Sequence, residues 1–151
     1  MNFLIRRLQL DLVPTSTHCA ILLLRVALGV QMLLGHGWDK LMTFSEKAAT
    51  FPDPLGVGHT TSMALAVFGE IVCMSLLIVG AFTRLAALCG AVTMAVAFFL
   101  VHGGKLSGAN NGEMAFLYLV GFVAVFLTGP GLFALDHQAR WSNQRRQMIP
   151  V

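Results

Sequence analysis

Four apolar stretches dominate the sequence, at about residues 18–41, 61–82, 85–102 and 113–135. A helix needs about 20 mostly apolar residues, each rising about 1.5 Å, to cross the hydrocarbon core of a bilayer. Thr93 is the only interruption of the third stretch. In the fourth, a helix beginning at Met114 can continue through Gly129-Pro130-Gly131 to Leu135. Open strands would leave backbone groups unsatisfied in lipid, so helices are required. An all-α, integral membrane four-helix bundle is therefore expected, with residues 1–151 forming one transmembrane domain.

Charge supports the same class. Only 11% of residues are charged and 56% are hydrophobic, whereas soluble domains carry roughly 25% charge. A soluble globular domain, a disordered chain and a nucleic-acid binder are excluded, despite a net charge of +3. Lys and Arg orient the bundle. With both termini inside, the cytoplasmic face holds Arg6, Arg7, Arg84, Arg140, Arg145 and Arg146, and the outer face holds Lys40, Lys47 and Lys105. That bias places both the N- and the C-terminus in the cytoplasm. Met1 to Val13 carries Arg6 and Arg7 in its middle, unlike a cleaved signal. It reads as a short amphipathic segment lying on the membrane surface, with Phe3, Leu4, Leu8 and Leu12 toward lipid. Pro14 to Thr17 then ends it and caps the first span.

Two charges fall deep inside the apolar stretches. Arg25 lies in Leu22–Leu28 and Glu70 in Val67–Val72. A lone charge at such depth costs about 2.5 kcal/mol or more, so the two are expected to pair across the first two helices. The two read as a structural clasp, as a buried polar site (a proton relay or a quinone head-group contact), or as charges with no direct contact. His36, His102 and Glu113 stand at the outer ends of their stretches, with Asp39 and Lys40 following His36 on one helical face. These groups read as a substrate-facing polar cluster or as solvated helix ends. Two histidines and a carboxylate are also the residue types that bind a metal or haem, but their spacing matches no metal signature and neither group is expected. An acid at Glu113 also suits a helix dipole. Cys19, Cys73 and Cys89 are scattered, with no C-x-x-C, so thiol chemistry is not expected. Gly29, Gly35, Gly69, Gly80, Gly90 and Gly121 permit close helix packing, and Gly80 and Gly90 flank an expected tight hairpin.

The run Leu22-Leu23-Leu24-Arg25-Val26-Ala27-Leu28-Gly29, followed by His36-Gly37 with Lys40, Gly69-Glu70, and Gly80 with Thr83-Arg84, resembles the DoxX family. The ending Gly129-Pro130-Gly131-Leu132-Phe133-Ala134-Leu135-Asp136 is similar to that family's closing segment. The resemblance spans about residues 18–137 and rests on the order and spacing of motifs that are individually short. It implies a small four-helix bacterial inner-membrane protein. Some members are named as subunits of thiosulfate:quinone oxidoreductases, others are linked to membrane oxidoreductase complexes and oxidative-stress defence, and many have no assigned activity. Carried over by position, the implied polar site is Arg25, His36, Lys40 and Glu70, with His102 as a further candidate. Lys40 enters through the resemblance alone.

The leading expectation is a membrane subunit of a quinone-linked oxidoreductase that works on a small sulfur compound or supports oxidative-stress defence. Quinone is the implied cofactor, a soluble oxidoreductase is a candidate partner, and homo-oligomers are compatible with the sequence. In that picture Arg25 and Glu70 line a buried pocket, and His36 and His102 gate its outer mouth. The alternative, from another class, is a non-catalytic membrane scaffold or a small-solute permease.

Overall fold

The computed structural model describes residues 16–139 and Trp141. The amphipathic segment expected at Met1 to Val13 lies outside the described residues, as do Arg6, Arg7, Arg140, Arg145 and Arg146 of the charge count. Among the described residues the regular structure is entirely helical. Four apolar helices form the bundle: α1 (Thr17–Met42), α2 (His59–Val79), α3 (Thr83–Val101) and α4 (Glu113–Thr128). Each packs on two neighbours, α1 and α3 each lying against both α2 and α4.

Local chemistry sets the helix ends. The Ser16 hydroxyl accepts from the Cys19 amide at 3.3 Å and caps α1. Helix α2 stops at Val79 because Gly80 adopts φ +77, a left-handed conformation that closes the chain into a tight turn. The expected continuation of the fourth helix to Leu135 does not occur. Gly129 and Gly131 have φ +81 and +72, and Pro130 between them has no amide to donate, so α4 ends at Thr128. The segment after it folds back onto the start of α3. There the Asp136 carboxylate accepts from the Phe82 and Thr83 amides, both at 2.8 Å, and caps a helix 53 residues earlier in sequence.

Packing follows membrane rules. The core joins Met32, Met74, Leu77, Met94, Phe98, Phe122 and Val125 with Ala86, Ala87 and Ala91. Large apolar side chains such as Leu23, Phe99, Leu117 and Leu127 remain exposed and face the lipid. Glycines bring the backbones together where helices cross. A Cβ on Gly29 would lie 2.6 Å from Ile78, and one on Gly69 would lie 2.5 Å from the Thr93 hydroxyl. In the half of the bundle away from the Gly80 turn, α1, α2 and α3 each contain a π-helical turn, at Leu33–Gly37, Phe68–Cys73 and Val96–Val101. Such widened turns shift the faces that side chains occupy and are frequent at functional sites.

Candidate functional site: an ion pair in an apolar groove

The expected Arg25–Glu70 pair is not formed. The register of α1 on α2 explains why. Gly37 packs on Glu70, where a Cβ would lie 2.9 Å from the Glu70 carbonyl oxygen. Arg25 stands twelve residues before Gly37, about 18 Å along the helix axis, and lies against Gly80 instead. Two groups that are central in their separate sequences are thus offset by three turns once the antiparallel helices are in register.

Arg25 is 1% exposed. Its Nη2 donates to the Phe133 carbonyl at 3.0 Å, and the Asp136 carboxylate acts on it electrostatically. It therefore ties α1 to the folded-back segment after α4. Glu70 receives Lys40 instead. The Lys40 ammonium donates to both carboxylate oxygens, at 2.9 and 2.7 Å. The close approach of α1 to α2 at Gly37, inside the paired π-helical turns, brings Lys40 within reach of Glu70 one turn further on.

The pair lies on the wall of a cavity of about 560 Å³ between α2 and α3, which also holds Gly69, Thr93 and His102. The rest of the wall is mostly apolar. Leu65, Phe68 and Val92, which contribute to it, belong to the lipid-facing surface, so the cavity is a groove that opens sideways toward the bilayer. At one end of it the loop between α1 and α2 contributes Phe51, Pro52, Pro54 and Leu55. Asp53 anchors that loop by accepting from the Val57 and Gly58 amides at 3.0 and 2.8 Å and from the Ser62 hydroxyl at 2.6 Å. These bonds, led by that of Ser62, hold the Asp53 carboxyl below its ordinary value. The His59 ring nitrogen Nδ1 lies 2.6 Å from the Phe51 carbonyl and adds a second tie.

The five residues singled out from the sequence therefore separate. Lys40, Glu70 and His102 share the groove, and the His102 ring lies 3.0 Å from the Asn110 carbonyl. His36 points the other way and packs edge-on against Tyr118 of α4, with ring centroids 5.8 Å apart. Arg25 sits at the opposite end of the bundle. Asp39, on the same stretch as Lys40, is surface-exposed and meets Lys47 at 3.3 Å. Glu113 opens α4 as expected.

Sequence reasoning missed the loop that closes the groove and treated the thiols as scattered. Cys73 and Cys89 instead stand close enough across α2 and α3 to act on each other electrostatically, and Cys89 forms part of the groove wall. The signal was in the hairpin: a turn centred near Ala81 places Cys73 and Cys89, eight residues to either side, opposite each other. The same symmetry opposes Gly69 and Thr93, which do touch.

Comparison with known proteins agrees with this architecture. The DoxX family model matches residues 20–103, from the first helix to the end of the third. An uncharacterized protein of Haemophilus influenzae is 37% identical over 122 residues, an alignment covering 76% of this chain and 87% of the relative. No solved structure matches. The order of motifs, the helical membrane architecture and the extent of the family match lead to one conclusion: the chain is a multi-pass membrane protein of the DoxX family.

Proposed function

We propose that the groove between α2 and α3 binds a quinone and that the protein is the membrane subunit of a quinone-linked redox system. One observation carries the proposal: the Lys40–Glu70 ion pair, placed on the wall of a mostly apolar groove that opens to lipid. A ligand suited to it has an apolar body that partitions into the bilayer and a polar head that takes hydrogen bonds. Such sites combine a mostly apolar lining with few polar groups that fix orientation. Lys40 would donate to a head-group carbonyl, and Glu70 would accept or return a proton beside it. His102, toward the outer end, would exchange protons with water. Quinone supplies the two-electron, two-proton acceptor chemistry when bound. Arg25, remote from the groove, has a positioning role through the Phe133 carbonyl.

The electron donor follows from the family resemblance rather than from the groove. A small sulfur compound, delivered by a soluble oxidoreductase, fits that resemblance. The test is equilibrium binding of decyl-ubiquinone to the full chain in nanodiscs. Saturable binding is expected, with at least a tenfold loss in Ala97→Trp, which fills the groove, and in Glu70→Gln, which removes the carboxylate on its wall. Absence of saturable binding, or binding unchanged in both folded variants, would overturn the proposal.

A further inference from the structure

We infer that Cys73 and Cys89 form a redox-active dithiol on the groove wall, which closes to a disulfide between α2 and α3. For its electron acceptor this rests on the quinone reading above; the geometry of the pair does not. The two thiols face each other across the α2–α3 hairpin and act on each other electrostatically. They also follow Gly69 and precede Thr93 by one helical turn each in antiparallel helices, so all four residues line one seam. Gly69 is what makes the seam narrow, because even a methyl group there would collide with the Thr93 side chain. A disulfide between neighbouring helices needs Cα atoms about 4.4–6.8 Å apart, so a narrow seam favours it.

The two sulfurs have different surroundings. Cys73 is 2% exposed, within the core, whereas Cys89 is half-buried and borders the groove. A ligand in the groove would therefore meet Cys89 first, with Cys73 behind it as the resolving thiol. In the reaction two S–H bonds break and one S–S bond forms. Two electrons and two protons pass to the quinone, whose two carbonyl oxygens become hydroxyls. Cys19 is exposed near the start of α1 and takes no part.

The experiment uses the reduced full chain in nanodiscs under anaerobic conditions, with decyl-ubiquinone or diamide as oxidant. Thiols are counted by maleimide mass-tagging, and quinol is followed by absorbance. With quinone, two of the three thiols should disappear, one equivalent of quinol should form, and mass spectrometry should find a Cys73–Cys89 cross-linked peptide. Dithiothreitol should restore both thiols. Cys19→Ala should behave in the same way, and neither Cys73→Ser nor Cys89→Ser should form an internal disulfide. Closure by diamide but not by quinone would leave the dithiol standing and remove quinone as its acceptor. Failure of both oxidants, in protein that still binds decyl-ubiquinone, would overturn the dithiol and leave the quinone site intact.

Discussion

Neutralising Lys40 should cost more stability than neutralising Glu70, although each change breaks the same ion pair. At 2.7 Å, with an effective dielectric constant of about 20, the attraction is about 6 kcal/mol, much of it offset by desolvation of the two charges. What a single substitution costs depends on where it leaves the other charge. The Glu70 side chain is only 5% accessible, so Lys40→Met strands a carboxylate inside the bundle, at about 3–5 kcal/mol. The Lys40 side chain is 25% accessible and stands two residues before the end of α1. In Glu70→Gln its long stem can carry the ammonium toward the aqueous edge, which limits the loss to about 1–2 kcal/mol. Lys40→Met combined with Glu70→Gln leaves no stranded charge and should lie within about 1 kcal/mol of the parent protein. Unfolding free energies of the four proteins, from detergent titration in mixed micelles, give the complete cycle. Equal losses in the two single variants, or a double variant as unstable as their sum, would refute the reasoning.

Three further outcomes follow from the geometry. Gly80→Ala would place a methyl group on the Arg25 guanidinium and 2.7 Å from the Ala134 Cβ, at φ +77; a loss of about 3 kcal/mol or more is expected in the same titration. Asp136→Ala removes both the cap from α3 and the carboxylate that acts on buried Arg25, so it should lower stability by more than about 1 kcal/mol, with faster hydrogen exchange at the Phe82 and Thr83 amides. Asp53 has a lowered pKa in the folded protein, so its contribution is complete above the ordinary carboxylate value of 3.8 and is lost as pH falls through the lower folded value. Protease sensitivity of the 51–58 loop should therefore rise only at strongly acidic pH, and Asp53→Asn should abolish that dependence.

Three long spans and a shorter fourth apolar helix were legible because hydrocarbon imposes a length and a polarity on each helix independently of its neighbours. Boundaries were read less well where a single dihedral decides them. The sequence Gly129-Pro130-Gly131 is compatible with a kinked continuation or a stop, and here two positive φ angles make it a stop. The site was legible as a set of residue types but not as a set of partners. Arg25 and Glu70 each stand out as a charge among apolar neighbours, whereas helix register depends on glycines such as Gly29 and Gly37 meeting the facing helix. Lys40 looked interfacial because it lies near a helix end, and only its side chain's reach back to Glu70 brings it into the bundle. The thiols were overlooked because spacing along the chain was used where distance across a hairpin was needed.

Scarce charge and long apolar runs commit this chain to crossing a membrane as helices, because lipid leaves open strands unsatisfied. The sequence by itself also marked out the few ionisable groups inside those runs, because each must be compensated. Only the tertiary structure decided how. Helix register is set by side-chain contacts between distant segments, and a shift of a few residues exchanges one partner for another. The structure thus gave Glu70 to Lys40 and Arg25 to the Phe133 carbonyl.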